Sequence, residues 1–426
     1  ASTRQWRRAL SGFRLFKLSH PPRKTMPGAT LALGALFCAA LTACGSGHSH
    51  PPRPVPPVPP SPPVSQGPLY DFTEIGLPGI TAGRVLRQGI ANGGLVAGTS
   101  LDAAGINRAF LYNGKTNIDL GSFGGPNARA FAVNRCGQVA GWGQTAAGIP
   151  HAFFYDGTLR DLGTLGGTES WGVAISTCGK VAGWSTLPSG GRHAFYYDGK
   201  TMRDLGVFRG AISEAFDVNS VGQVVGTSTI PGVNELHAFL YDARTGAPIQ
   251  DLNPPGRTFS QAYDINEAGQ VAITTRDPVD EHLRAYRYSG GVLQDLGLLP
   301  GALGSEPRAI SEAGHVVGYV YYPDGGQVAF VHDGTAMRGL GTLNGGRFSD
   351  ANAINASGLI VGQAVNGPSG SEHAVAWGRD YGPVDLNTRV KDLPAGIELL
   401  EAVAVADDGA IAVRTRTGLG LLRPRK

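Results

Sequence analysis

The sequence has little charge and few cysteines. Only 16% of its residues are charged, and it has 4 Cys and 3 Met among 426 residues, against 64 Gly and 29 Pro. Helical bundles and coiled coils need Glu, Lys, Leu and Ala rather than turn formers, so this composition excludes them. At 42% hydrophobic residues the chain can still bury a core.

The net charge of +3 comes from the first 44 residues. That segment has no acidic residue and seven of the 36 basic ones, which leaves 29 basic against 33 acidic residues elsewhere. A mildly acidic remainder gives no electrostatic reason to expect nucleic acid as a partner. We therefore predict no nucleic-acid binding.

The amino-terminal segment is typical of a secretory signal. Residues 29–43 form a short apolar stretch after positive charges, too short to predict a membrane-spanning helix. Its end, Leu41-Thr42-Ala43-Cys44-Gly45, resembles the bacterial lipobox, in which the cysteine is lipidated. Residues 1–43 are therefore predicted as a lipoprotein-type signal, with Ala1 or Met26 as its start. Lipidated Cys44 would be the membrane anchor, and Gly45 favours the outer membrane, on its periplasmic or cell-surface side.

Residues 44–69 are rich in proline. Proline fixes its own φ and cannot donate a backbone hydrogen bond, so we expect an extended polyproline II tether after Cys44. Such a tether would hold the rest of the chain away from its anchor.

From residue 70 onward the chain repeats every 42–47 residues. Each unit has four short segments rich in Val, Ile, Phe and Tyr, separated by Gly, Asn and Asp, which is typical of strands. The repeat region begins with the last strand of a unit, and it ends with the strand that precedes this one in the same unit. Such a split unit lets the two chain ends pair and close a ring. We predict an all-β fold for 70–426, a β-propeller of eight four-stranded blades closed by its terminal strands.

The repeated words are His-Ala-Phe-x-Tyr-Asp-Gly, Asp-Leu-Gly-Thr-Leu-Gly-Gly and Ile-Asn-x-x-Gly-x-Val-Val-Gly. Through them, residues 109–378 resemble the HAF-repeat proteins, predicted extracellular repeat proteins of bacteria. The resemblance implies secretion and a repeat domain, and it implies no established activity. Arg108, Arg284 and Val328 depart from the pattern at the His position.

Four histidines occupy one repeat position. On the third strand of their blades they would lie too far apart to share one metal ion, so we predict no metal and no cofactor. We expect each to bond within its blade, to the turn or to the Asp of Asp-Leu-Gly. The residues in question are His151, His193, His237, His373, Asp161, Asp204 and Asp385.

Cys136 and Cys178 hold the same place in adjacent units. A disulfide between them is chemically allowed in an oxidising envelope if their Cα atoms lie within about 7 Å. Two free thiols are the alternative.

The links from the fourth to the first strand type of the repeat vary in length and sequence, and repeat scaffolds present their function on such loops. The candidate binding residues there are Asp277, Asp280, Glu281, Tyr321, Tyr322 and Glu372. Solvated loops without a ligand are the simpler interpretation.

The sequence has no G-x-S-x-G, C-x-x-C or H-E-x-x-H motif, and no catalytic residue is predicted. We expect a monomeric domain that binds a protein or glycan as a lipid-anchored binding or adhesion scaffold. A glycan-active propeller hydrolase or lyase is one alternative. An outer-membrane assembly scaffold is another, by analogy with the propeller lipoprotein of the β-barrel assembly machinery.

Overall fold

The computed structural model describes residues 67–208, 210–230, 235–368, 370–379 and 382–425. The predicted signal segment, the predicted anchor Cys44 and the predicted tether up to residue 66 lie outside the described residues. Within these ranges, no helix is long and apolar enough to cross a membrane.

Eight antiparallel sheets follow one another along the chain and form a ring, which confirms the predicted eight-bladed β-propeller. Strand β1 comes first and belongs to the last sheet. The strands of the first four blades run as follows: β1 (Tyr70–Ile75); blade 1, β2 (Ile80–Arg84), β3 (Ile90–Ala91), β4 (Leu95–Asp102), β5 (Asn107–Asn113), β6 (Asn117–Asp119); blade 2, β7 (Gly124–Val133), β8 (Val139–Thr145), β9 (Pro150–Tyr155), β10 (Leu159–Asp161); blade 3, β11 (Ser170–Ile175), β12 (Val181–Thr186), β13 (Arg192–Tyr197), β14 (Met202–Asp204); blade 4, β15 (Ser213–Val218), β16 (Gln223–Thr229), β17 (Leu236–Asp242), β18 (Gln250–Asp251).

The remaining four blades complete the ring. Their strands run as follows: blade 5, β19 (Ser260–Ile265), β20 (Val271–Arg276), β21 (Leu283–Ser289), β22 (Val292–Asp295); blade 6, β23 (Gly304–Ile310), β24 (Val316–Tyr321), β25 (Gln327–His332), β26 (Met337–Gly339); blade 7, β27 (Ser349–Ile354), β28 (Ile360–Val365), β29 (Glu372–Trp377), β30 (Val384–Asp385); blade 8, β31 (Leu399–Val405), β32 (Ile411–Thr415), β33 (Leu419–Pro424). A short 3-10 helix, Leu386–Thr388, leads from blade 7 towards blade 8.

Blade 8 is built from both ends of the chain. Its strand order is β31, β32, β33 and β1, and β1 pairs with β33 from Tyr70 opposite Pro424 to Ile75 opposite Leu419. This pairing removes the two sheet edges that an open array would expose. The split repeat unit in the sequence is thus the closing blade of the ring.

The core lies between the blades. The second and third strands carry continuous buried runs, such as Val139 to Gly143 in β8 and Ala152 to Phe154 in β9. Five of the largest fully buried side chains are phenylalanines of the third strands: Phe110, Phe153, Phe195, Phe239 and Phe330. Continuous rather than alternating burial arises because each blade is packed on both faces.

A β-bulge interrupts the first strand of seven blades at the same place. In blade 4 the pairing with β16 skips Phe216, between Ala215 and Asp217. The glycine opposite the bulge has no room for a side chain, because a Cβ on Gly226 would overlap the carbonyl oxygen of Glu214. The repeated Val-x-Gly of the sequence thus follows from the bulge.

Candidate functional site

The variable loops and the links between blades lie at one end of the strands, which we call the loop face. Loop and link are joined by backbone hydrogen bonds: Phe123 N donates to Gln144 O at 2.8 Å, and Gly167 N to Thr186 O at 3.1 Å. The Asn-x-x-Gly turns lie at the other end of the first and second strands. The loop face is therefore a connected surface on which neighbouring blades contribute side by side.

Three of the predicted binding residues lie in the loop of blade 5. Asp277 faces Arg257 at 3.5 Å, Asp280 pairs with Arg284, and Glu281 has a φ of 59°. That positive φ is rare for a residue other than glycine and is typical of functional or strained loops.

Tyr321 of blade 6 contacts the loop of blade 5. Its hydroxyl accepts a hydrogen bond from Leu283 N at 3.0 Å, and its ring meets that of His282 edge-on at 5.9 Å. Burial raises the pKa of Tyr321. Tyr321 therefore supports the blade 5 loop, and the structure brings these four predicted residues together.

Tyr322 and Glu372 lie on separate loops. Tyr322 lines a shallow cleft of about 380 Å³ together with Pro323, Asp324 and Arg347. Glu372 is 3.7 Å from Arg414. The cleft at Tyr322 has one acidic and one basic side chain, which form an exposed ion pair.

The four repeat histidines each bond an aspartate on the outermost strand of the same blade. The Nδ1 to carboxylate distances are 2.8 Å for His151 and Asp161, 2.8 Å for His193 and Asp204, 2.8 Å for His237 and Asp251, and 2.6 Å for His373 and Asp385. The sequence analysis did not single out Asp251, although it lies in the same Asp-Leu-Asn sequence as Asp385. No group of three metal-binding side chains occurs among the described residues.

Cys136 and Cys178 are exposed free thiols, so the structure does not contain the disulfide considered above. Their turns are nevertheless adjacent, because Asn134 Nδ2 donates to Ser176 O at 3.0 Å. The same contact recurs around the ring, as from Asn219 to Asn266 O at 3.1 Å. The repeated Asn therefore also joins neighbouring blades, a role beyond the local turn that the sequence predicted.

One position of the first strand is occupied by different residue types in different blades, and its neighbours differ as well. It lies two residues before the bulge, towards the loop face, and follows a serine that is repeated in five blades. We call these residues the inner ring: Arg84, Arg129, Trp171, Glu214, Gln261, Glu306, Asp350 and Glu401.

The bulge residue of one blade contacts the inner-ring residue of the next. Phe131 and Trp171 have ring centroids 5.8 Å apart, and Tyr263 Oη lies 3.4 Å from Glu306 Oε2. Further round the ring, Arg308 lies 3.3 Å from Asp350, and Asn352 Nδ2 lies 3.2 Å from Glu401 Oε1. These four contacts share one geometry and differ in chemistry.

The inner ring has aromatic neighbours in blades 2 and 3. Trp171 lies 5.2 Å from both Trp142 and Trp184, measured between ring centroids. The guanidinium of Arg129 lies 5.8 Å from the Trp142 ring, and that of Arg192 lies 4.6 Å from the Trp184 ring. Trp171 and Trp184 are stacked, Trp142 is tilted against Trp171, and Arg192 at the far end pairs with the inner-ring Glu214.

The inner ring is polar in blades 5 to 7. Glu306 hydrogen-bonds the Tyr319 hydroxyl, and Arg308 lies 5.0 Å from the Tyr319 ring. Burial raises the pKa of Tyr319 and that of Asp350. Oδ1 of Asp350 is buried without a hydrogen-bond partner among the described residues. Acidic and aromatic sections thus occupy different arcs of the same ring.

A strut links blade 1 to blades 4 and 5. The bulge of blade 1 is longer than the others, and its Arg87 donates to Tyr263 O at 2.8 Å and lies 3.4 Å from Asp264. Its neighbour Gln88 hydrogen-bonds Asp217. Burial, followed by the neighbouring Asp264, raises the pKa of Asp217 well above its usual range.

The sequence analysis did not predict this strut, although the sequence contains a signal for it. The two aspartates occupy the position after the bulge, where Ala132, Ala174, Ala309 and Ala353 stand in other blades. Two acidic residues in place of a repeated alanine mark a contact that the repeat itself does not make.

No family model matches the chain, and no curated protein matches it. Several solved structures have a similar fold. The β-propeller domain of the Trilobed protease from Pyrococcus furiosus is 11% identical, with 75% of this chain and 98% of that chain covered and a TM-score of 0.47. Oligogalacturonate lyase from Vibrio parahaemolyticus is 10% identical, over 70% and 94% of the chains, with a TM-score of 0.44. TolB from Acinetobacter baumannii is 10% identical, over 68% and 64%, with a TM-score of 0.36.

Proposed function

We propose that this chain is a lipid-anchored binding scaffold of the bacterial cell envelope that holds a protein or glycan ligand on the loop face of its propeller. The anchor is Cys44, and the ligand contacts the loops of blades 5 to 7 and the nearby inner ring. The proposal joins the lipobox-like sequence at Cys44 to the geometry of the loop face.

The observation that carries the proposal is the variation of the inner ring on a repeated frame. The serine before the inner-ring residue recurs in five blades, and a glycine recurs opposite the residue that follows it, because packing requires both. Packing of the blades does not explain why the same inner-ring position is Trp171 in one blade, Glu306 in another and Asp350 in a third. In repeat scaffolds, positions that vary while the frame stays constant form the recognition surface.

The loops next to this arc add exposed groups that a ligand can reach. Arg347 and Asp324 are exposed beside Tyr322 in the cleft. In blade 5, Val279 is 91% exposed at the tip of a loop that also contains Asp277 and Asp280. An apolar tip surrounded by charges is typical of a surface that binds a partner.

The unanchored full chain, Cys44→Ala, is used to test the proposal. Its binding is measured to purified envelope polysaccharides and to permeabilised cells. We expect saturable binding that weakens at least tenfold in Arg347→Ala, on the loop face. The matched control is Arg135→Ala, an exposed arginine in a turn at the opposite end of the strands. Absence of saturable binding, or equal loss in both variants, would contradict the proposal.

Protease treatment of intact cells tests the side of the membrane. Digestion of the full chain on intact cells, with Cys44→Ala as the released control, would support capture or adhesion at the cell surface. Protection until the outer membrane is permeabilised would place the ligand in the periplasm and favour a role in envelope assembly.

A further inference from the structure

Blade 7 contains a line of hydrogen-bonded side chains that its sister blades lack. Ser371 Oγ lies 3.0 Å from His373 Nε2, and His373 Nδ1 lies 2.6 Å from Asp385 Oδ2. A hydroxyl, an imidazole and a carboxylate in this order are the arrangement that activates a serine nucleophile.

The chemistry of the three groups fixes where the protons lie. An ionised carboxylate only accepts hydrogen bonds, so Nδ1 of His373 carries the proton that is shared with Asp385. In a neutral imidazole the other nitrogen, Nε2, then has a free lone pair. With this tautomer Nε2 can accept the hydroxyl proton of Ser371 at 3.0 Å, and Oε1 of Glu398, 3.2 Å from the same Oγ, is the competing acceptor.

The base and its carboxylate are held on strands. His373 lies in β29, opposite Ala364 of β28, and the side chains of His373 and Asp385 are each 15% exposed. The second oxygen of Asp385 accepts from Asn387 N at 2.9 Å. Ser371 itself is exposed on the loop face. A substrate can therefore reach the hydroxyl, while the imidazole stays oriented.

Glu398 completes the cluster from the link between blades 7 and 8. Its Oε1 lies 3.2 Å from Ser371 Oγ and 3.6 Å from His373 Nε2, and its Oε2 pairs with Arg416. The hydrogen bond from Arg416 lowers the pKa of Glu398. Two carboxylates thus flank the imidazole and stabilise the imidazolium that forms when His373 takes up a proton.

Three other blades provide natural controls within the chain. His151, His193 and His237 bond their aspartates as His373 does. Two residues before the histidine, however, these blades have Ile149, Gly191 and Glu235. Within the part of the chain that the structure describes, the His and Asp pair of blade 7 is the only one of the four that contacts a serine hydroxyl.

We propose that Ser371, His373 and Asp385 form a serine-hydrolase site that cleaves carboxylic esters. Ser371 Oγ bonds to the ester carbonyl carbon as its proton passes to His373 Nε2. The bond to the alcohol oxygen then breaks, and Nε2 returns the proton to this leaving group. Water then bonds to the acyl carbon as its proton passes to His373 Nε2, the bond from that carbon to Ser371 Oγ breaks, and Nε2 returns the proton to Oγ, which releases the free acid. Asp385 acts as a positioning residue. Esters fit this exposed site because an alkoxide is a better leaving group than the amide anion of a peptide bond.

The full-length chain, treated with a fluorophosphonate probe, tests this proposal. We expect covalent labelling of the peptide that contains Ser371, together with a burst of p-nitrophenol from p-nitrophenyl acetate equal to one acyl group per chain. Ser371→Ala and His373→Gln should lower the labelling rate at least 100-fold. The matched control His193→Gln, which breaks the equivalent pair of blade 3, should leave the labelling rate unchanged.

Asp385 needs a measurement that distinguishes positioning from folding. Asp385→Asn should slow labelling and move its pH midpoint lower, because the imidazolium loses a carboxylate partner. Its melting temperature should fall no further than that of the control Asp204→Asn. Absence of labelling in the wild-type chain, labelling that persists in Ser371→Ala, or an equal loss in His193→Gln would each overturn the proposal. None of these results depends on the ligand of the loop face.

Discussion

The contacts that repeat from blade to blade and the inner ring that varies perform different tasks in the same strands. Ser213 Oγ accepts from Ala194 N at 2.8 Å and donates to Gly206 O at 2.6 Å, and the same serine contact joins other neighbouring blades. One residue further along, Glu214 belongs to the inner ring. Neighbouring positions on one strand can therefore be constrained by folding and free for recognition, because their side chains point to opposite faces of the sheet.

The closing blade provides the most severe test of the repeated contacts. Deleting residues 418–426 removes β33, and β1 then loses the strand with which it pairs along its whole length. We expect aggregation or loss of cooperative thermal unfolding, because the exposed edges pair between molecules. Size-exclusion chromatography and calorimetry measure this outcome. A monomeric variant with an unchanged cooperative transition would contradict the closed ring.

A methyl group added to a repeated glycine should lower the stability of the fold less than deletion of β33 does. In Gly226→Ala the new Cβ overlaps the carbonyl oxygen of Glu214. We expect the free energy of unfolding to fall by about 3 kcal/mol, since overpacking forces the backbone apart. Urea unfolding measures the change. Gly382→Ala is the control, because nothing lies within 4 Å of its added Cβ, and an equal loss in both would refute the explanation.

Removal of a repeated hydroxyl should have a smaller effect. Ser213→Ala leaves the buried amide of Ala194 and the carbonyl of Gly206 without their partner. The expected loss is about 2 kcal/mol of unfolding free energy. The inner-ring variant Gln261→Ala should cost less than about 1 kcal/mol. If Gln261→Ala lowers the free energy of unfolding more than Ser213→Ala does, the distinction between repeated packing contacts and the inner ring is wrong.

The strut predicts a pH dependence of stability. Because the folded pKa of Asp217 is raised, its protonated form contributes stability that is fully present below the unfolded pKa of about 3.9 and is lost as the pH rises through the folded value. We expect the wild-type chain to lose stability relative to Asp217→Asn as the pH increases from 4. Urea unfolding at several pH values gives the difference between the two chains, and a difference that does not change with pH would contradict this assignment.

The blades could be predicted from the sequence because each repeats the same solution to the same packing problem. Strand types recur at a nearly constant interval, and the split unit at residues 70–76 and 418–423 indicated closure. The proximity of His and Asp could also be anticipated, since both recur in each unit at neighbouring strands. The bulge was not predicted, because one extra residue in the pairing leaves no mark on the hydrophobic pattern.

Contacts that occur once could not be derived from a repeat. Arg87 reaches a residue 176 positions away, across the ring. The serine of blade 7 lies in a loop that varies among units, and only the folded loop brings its hydroxyl to His373. Periodicity predicts what the blades share, while the candidate sites lie where one blade departs from the others.

The seam of blade 8 has a mechanical consequence. A pulling force applied through the residues before Gly67 would enter the propeller at Arg389, which donates to Gly67 O at 2.6 Å, and at β1. β1 is held by its pairing with β33, by the ion pair of Asp71 with Arg425 at 3.0 Å, and by a bridge from Tyr70 to Val390. Under tension we expect the ring to open at this seam before any other blade separates, so the few contacts of this one strand set the load that the propeller can bear.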